Sequence, residues 1–290
     1  MDDADVKHYE TGREAALISL LDDPSTAVQS ALLKEFQQTI DVAVDLLRRI
    51  AESGEMPQAE AARYYLRELG AEDTTGAFIA FIRSYQYELE TGSILLDRTL
   101  HPHVEPSDIC VFLDEMADRV RELMVKPATP FEQCRILNRV IFHEYGFAGD
   151  QDDFYHPHNC FLHKVIERRR GLPISLSIIY LLVAYRCGIE LDPVGMPGRF
   201  MVGCFTAGEP FYIDVFEGGA FRTREDLDVI LEGFQLPPED NFFMPLPVGD
   251  VILRCCRNLV NQFTRSEEAE SARLFANFVN EFESAYQQQD

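Results

Sequence analysis

The stretch Arg168 to Leu182, RRRGLPISLSIIYLL, sets three cations, a Gly-Leu-Pro turn and two hydroxyls in front of an apolar run that must be buried. These residue types, in this order, describe the start of a core helix. Proline is comfortable at a first helical position, where its missing N–H would be unpaired anyway. The free N–H groups behind it and the helix dipole favour negative charge, so a thiol placed there ionises readily and an oxyanion is stabilised. The groups this turn offers are Ser175 and Ser177, with Arg168 and Arg169 as cations that together with a helix N-terminus would hold an anion.

Other chemistry-bearing residues sit in the loop AGDQDDFYHPHNC and in two later turns. His156, His158 and Cys160 are metal-type donors, as are His101 and His103. Alternation across a proline aims such imidazoles in unrelated directions, and no second cluster is fixed by spacing, so neither a metal nor another cofactor is expected. The seven cysteines are scattered with no C-x-x-C pair, which points to reduced, mostly buried thiols. Cys187 and Cys204 read as core packing. Adjacent Cys255 and Cys256 lie in a helical pattern where neighbouring side chains diverge by about 100°, a poor geometry for a bridge.

The elements that must position these groups are mostly helical. Residues 12 to 70 are helical in pattern, with a break at Asp22-Asp23-Pro24 and Ser25 as N-cap of the next helix. Three further helical stretches run up to residue 165, with apolar residues at three- and four-residue spacing such as Val111, Leu113, Met116, Val120, Leu123 and Met124. After the buried helix of 175 to 187 the period changes. Short β-prone segments, ELDPVGMP, RFMVGCF and PFYIDVF, alternate with glycine turns and predict a small antiparallel sheet against the core helix. Three helical stretches close the chain. The expected class is α+β with a helical majority.

Composition excludes some partners. With 26 Lys and Arg against 49 Asp and Glu, the 290-residue chain carries a formal charge of −23. Phosphate backbones and anionic lipid are repelled by such a field, so neither nucleic acid nor a membrane surface is an expected partner. The first residues, MDDADVKHYE, read as neither a secretory nor a transit peptide, and the longest apolar run is far short of a membrane span. A cytoplasmic protein is expected.

The segment from LNRVIFHEYGF through RRRGLPISLS to PGRFMVG, together with YIDVFEGG, resembles the SirB-type family of transglutaminase-like proteins, a bacterial family whose domain also occurs in some eukaryotic F-box proteins. The resemblance covers about residues 80 to 290. It implies a domain over 73–290, with a core at about 130–220 and C-terminal helices at 223–287. Residues 1–72 fall outside it and resemble a HEAT-type helical pair; the absence of a Gly/Ser/Pro-rich spacer predicts that they pack as a cap on the domain that begins at residue 73.

In active relatives a Cys at the start of the core helix attacks, a His on the first facing strand takes its proton, and an Asp on the next strand orients that His. Carried over position by position, the nucleophile falls at Pro173, the base at Arg199 where similar proteins carry P-G-H-F, and the third member at Asp214. Proline cannot attack, and arginine stays protonated. Asp152, Asp153 and Asn159 fit the family's loop pattern, which places that loop along the cleft.

These residues allow two functions. One is a non-catalytic interaction or regulatory module in which Arg199 and Asp214 form a two-bonded salt bridge, and the cleft binds a protein or, through Arg168, Arg169 and Arg199, a small anion. The other is a hydrolase or acyl transferase with a relocated nucleophile, Ser175 or Cys160, served by His156 or His158.

Overall fold

The computed structural model describes residues 13–287 apart from 54–55, 72, 207, 234 and 238. The chain forms two compact units that divide after Thr74. The first is helical at residues 13–19 and then in α1 (Thr26–Gln38), α2 (Ile40–Ser53) and α3 (Met56–Glu68). Leu21, Leu32, Phe36, Leu47 and Tyr65 close a core of its own. Ser25 stands at the N-cap of α1 with extended backbone, but its hydroxyl makes no capping bond. Its amide is instead held by Asp23, 2.8 Å away.

The second unit takes in α4 (Thr74–Ser84) from its second residue on, then α5 (Leu89–Arg98), α6 (Pro106–Leu123) and α7 (Pro130–Asn138). The continuous pattern from GAFIAF to ILLD breaks into α4 and α5 at Tyr85, whose φ of 56° no helix accommodates. α7 is held by a capping box between Thr129 and Glu132 and runs on into a π turn at Arg139–Glu144. A two-residue parallel pair, β1 (Ala148–Gly149) with β2 (Arg170–Gly171), then brackets α8 (Leu162–Arg168).

Everything in the second unit is arranged around α9 (Pro173–Arg186). Every residue from Ile174 to Ala184 is buried, so the helix has no wet face until its last turn. A fully buried Ile or Leu there contributes about 2 kcal/mol through removal from water. Pro173 is the first helical residue and Leu172 the extended N-cap, as the pyrrolidine geometry favours. Cys187 is not inside the buried helix; it is the half-buried C-cap residue.

One side of α9 meets a four-stranded antiparallel sheet, ordered β3 (Asp192–Val194), β4 (Met201–Cys204), β5 (Phe211–Asp214) and β6 (Ala220–Arg222). Val202 pairs with Ile213, and Asp214 with Ala220, so the end of β5 is fixed between both neighbours. β6 and the β1–β2 pair add to the strands read from the sequence. α10 (Arg224–Gly233), α11 (Val248–Arg265) and α12 (Ala269–Gln287) complete the unit. The last two pack together through Phe263 and Phe275, stacked at 5.7 Å.

Candidate functional site

Asp214 ends β5 with no exposed surface, and its Oδ2 accepts a 2.8 Å hydrogen bond from Arg199 Nη1. The Glu217 amide donates to Oδ1 at 3.3 Å. Among the described residues, no other side chain donates to this carboxylate. The pair has one bond rather than the expected two parallel ones, because the second arm of Arg199 turns toward Glu217 Oε1, 3.8 Å away. Burial pushes the Asp214 pKa above the usual carboxylate value, and the Arg199 charge opposes that shift.

Arg199 lies not on a strand but in the turn just before β4. Gly198 takes φ 72°, and the Arg199 amide closes back on Met196 O at 3.2 Å. From α11, Arg254 Nη2 donates to Met196 O at 2.8 Å and Arg199 O at 3.1 Å, while its guanidinium sits over the Phe200 ring. Arg254 is therefore the brace that sets where Arg199 points. Sequence reading passes over it because nothing local links position 254 to a turn 55 residues earlier.

The start of α9 is equally occupied. Ser175 Oγ donates to Asn159 O at 2.7 Å and accepts from the Leu172 amide at 2.9 Å, so its hydroxyl is spent on capping. Ser177 Oγ donates to Pro173 O one turn back. Both serines are buried. Gly171 is required next to them, since a Cβ there would come within 2.7 Å of Ser175 Oγ and 2.8 Å of Val165.

The three arginines do not converge on this terminus. Arg168 donates to Asn159 Oδ1 at 2.8 Å and Asp150 Oδ2 at 3.0 Å. Arg169, in the left-handed conformation after α8, lies over the rings of Phe112 and Phe147. Arg199 has Asp214. Asn159 is the hub of the loop: besides Ser175 and Arg168 it holds Asp153 O through Nδ2 at 2.7 Å. Its importance, and that of Asp150, comes from the cation and hydroxyl brought to them by the fold, not from any local motif.

Cys160 is buried, and its thiol donates to Gln262 Oε1 at 3.2 Å. Burial raises its pKa well above the ordinary thiol value. His156 Nδ1 accepts from the His158 amide at 3.1 Å, and no histidine forms a hydrogen bond with Ser175, Cys160 or Asp214 among the described residues. His158 instead joins an edge-to-face chain with His101 and His163, at ring separations of 6.4 and 4.5 Å. At its far end buried Asp97 accepts from His163 Nδ1 at 2.7 Å and from the first two amides of α8. No group of three His, Cys, Asp or Glu among the described residues is arranged to hold a metal ion.

A core helix packed on an antiparallel sheet, with an acid at the end of one of its central strands, fits the layout of transglutaminase-like domains. The Transglutaminase-like superfamily profile matches residues 107–257, more than half of the chain. The chain belongs to that superfamily, within the SirB-type group represented by UPF0162 proteins. A UPF0162 protein of Xylella fastidiosa (strain Temecula1) is 30% identical over 203 residues, spanning 66% of this chain and 70% of that protein. A Vibrio cholerae UPF0162 protein is 25% identical over 132 residues, 45% of this chain and 49% of its own length. Human F-box only protein 21 is 27% identical over 181 residues, 55% of this chain but 29% of its own length. No solved structure matches. No helix among the described residues is long and apolar enough to cross a membrane.

Proposed function

We propose that the protein is a non-catalytic transglutaminase-like module that acts by binding another protein. The observation that carries this reading is the Arg199–Asp214 bond. A permanently charged guanidinium occupies the place of the base, and the acid that would orient an imidazole holds that cation. Proline at 173 supplies no attacking atom, and the hydroxyls next to it are committed to the helix backbone.

Of the two ligand classes open to such a module, a protein is favoured over a small anion. An anion at the α9 terminus would have to displace Asp150 from Arg168 or Asp214 from Arg199, exchanging one carboxylate partner for another. The alternative of a hydrolase built on Ser175 or Cys160 lacks a base within hydrogen-bond reach of either atom. A fluorophosphonate probe tests the serine route without any knowledge of substrate. The native chain should show no labelling above a heat-denatured control; stoichiometric modification at Ser175 would establish the hydrolase instead.

A further inference from the structure

One pocket of the second unit lies away from the Arg199–Asp214 pair, along α7 and the loop before it. It has a volume of about 750 Å³, a size that accommodates a short peptide segment. Its apolar lining comes from Met124, Val125, Pro127, Ile136 and, on the edge strand β6, Phe221. Val125 is 79% exposed, and Phe131, 44% exposed, leans on Phe221 with ring centroids 4.2 Å apart. Exposed apolar side chains set beside charged ones give the pocket both kinds of contact that a peptide segment uses.

The charge on the rim points to the occupant. On a chain of net charge −23, the trough is lined by Arg135 and Arg139, and exposed Lys126 stands between the lining residues Val125 and Pro127. The carboxylates nearby are used inside the chain. Glu132 is closed into its capping box with Thr129, and Glu144 is shared between Arg119 and Arg139. Lys126 and Arg135 are exposed, and neither has a carboxylate in ion-pair contact among the described residues. A basic partner would gain nothing here and would be drawn to the rest of the surface. A segment that combines apolar or aromatic anchors with carboxylates meets both the floor and the rim.

The floor is held open by a fixed network. Tyr180 on α9 donates to Asn138 Oδ1 at 2.9 Å, and Asn138 Nδ2 donates to Gly219 O at 2.7 Å. Gly219 has φ 81°, and a Cβ there would fall 2.4 Å from Asn138, so the glycine turn between β5 and β6 must stay bare for this clasp to form. The trough is thus tied to the core helix and to the strand that ends in Asp214.

We infer that the trough between α7, the α6–α7 loop and β6 is a docking groove for an acidic peptide segment of a partner protein, anchored by apolar side chains over Val125, Ile136 and Phe221 and by carboxylates at Lys126, Arg135 and Arg139. This assignment rests on the binding-module reading above and names where the partner sits.

The test is selection of a displayed library of short random peptides on the full chain, with counter-selection on an Arg135→Glu/Arg139→Glu double variant. Both substitutions are at exposed positions, and unchanged thermal melting confirms that the variant is folded. Enriched sequences should pair Asp or Glu with apolar or aromatic residues. Their affinity should fall about tenfold in the double variant and also in Val125→Asp, and should weaken with added salt. A benzophenone-bearing copy of a selected peptide should cross-link to residues 124–139 or Phe221. Cross-links confined to the Leu172–Arg199 side, with affinity unchanged in the double variant, would overturn the groove and leave the binding module standing. Enrichment of basic peptides would overturn the groove as well, and no enrichment on the native chain would overturn both.

Discussion

Asp214 is sealed from solvent while Arg199, 2.8 Å away, keeps 27% of its side chain exposed. The cation is therefore the replaceable half of the pair and the carboxylate the half that cannot be left alone. Removing one member of a buried pair strands the other, at a cost of about 3–5 kcal/mol when both are fully buried. With Arg199 partly hydrated, Arg199→Ala should destabilise the chain by about 2 kcal/mol at pH 7.

The pH dependence of that loss has a definite sign. Burial already holds the Asp214 pKa above its unfolded value, and without Arg199 it rises further. A carboxyl with a raised folded pKa contributes stability at low pH that is lost as pH rises through that pKa. The gap between Arg199→Ala and the native chain should therefore shrink as pH falls from 7 toward 5. Urea unfolding at a series of pH values measures it, and a gap independent of pH would show that Asp214 does not depend on Arg199.

A second prediction concerns the core helix. Ile179 is 0% exposed and sits mid-way along α9. Ile179→Asp would bury a charge in the apolar core, a cost of several kcal/mol that exceeds the stability margin of many domains. Loss of soluble folded protein, or of its cooperative melt by circular dichroism, is expected. A variant that melts as the native chain does would refute the placement.

Acid sensitivity should centre on His101. Its Nε2 is buried with no hydrogen-bond partner among the described residues, and burial, with His163, Lys164 and His158 nearby, lowers its pKa from 6.5 to about 4. A base with a depressed folded pKa stabilises the fold above its unfolded pKa and loses that contribution as pH falls between the two values. With the ring only half buried and partly screened by water, the loss from pH 6.5 to 4 is on the order of 1–2 kcal/mol. His101→Phe keeps a ring against Phe161, now 4.9 Å away, and removes the proton acceptor. That variant should show a flatter acid limb in stability against pH; an unchanged limb would move the sensitivity elsewhere.

How far the sequence carries these conclusions differs from element to element. The apolar run from Ile178 to Tyr185 leaves no reading but a buried helix, and the resemblance carried by the I-D-x-F string puts Asp214 on the second facing strand, which it ends. β6 and the β1–β2 pair escape notice since three and two residues are too few to show a period. The N-cap at Ser25 is legible as a position but not as a bond: its hydroxyl caps no amide, and its own amide is held by Asp23. The arginines near position 170 read as one cationic cluster, yet the chain turns between them and gives each a different partner: Asp150 and Asn159 for Arg168, two aromatic faces for Arg169. Such pairings are set by tertiary approach, and so is the Arg254 brace on the Arg199 turn.

Restoring the family's chemistry one residue at a time should fail. Arg199→His regains an imidazole beside Asp214 but has no nucleophile to serve, and Pro173→Cys gains a thiol while the base position still holds a guanidinium incapable of taking its proton. For groups that act as a unit, loss of one already removes nearly all of the rate. Neither single variant should release ammonia from a glutamine peptide or incorporate an amine above the native background. Activity in either one would show that a missing member is supplied from elsewhere in the chain.

The most direct measurement is the alkylation rate of each cysteine under limiting iodoacetamide at neutral pH, resolved by peptide mass spectrometry. A functional cysteine nucleophile is a thiolate at pH 7 and reacts far ahead of its neighbours. Here burial raises Cys110 to about 11 and Cys134 and Cys255 to about 12, with Cys160, Cys187 and Cys256 also shifted upward. Slow labelling of the native chain is expected, led by half-buried Cys110 and Cys187, with no single fast site. One cysteine alkylated many-fold faster than the rest, and slowed by removal of His156 or His158, would contradict the account and make the protein an enzyme.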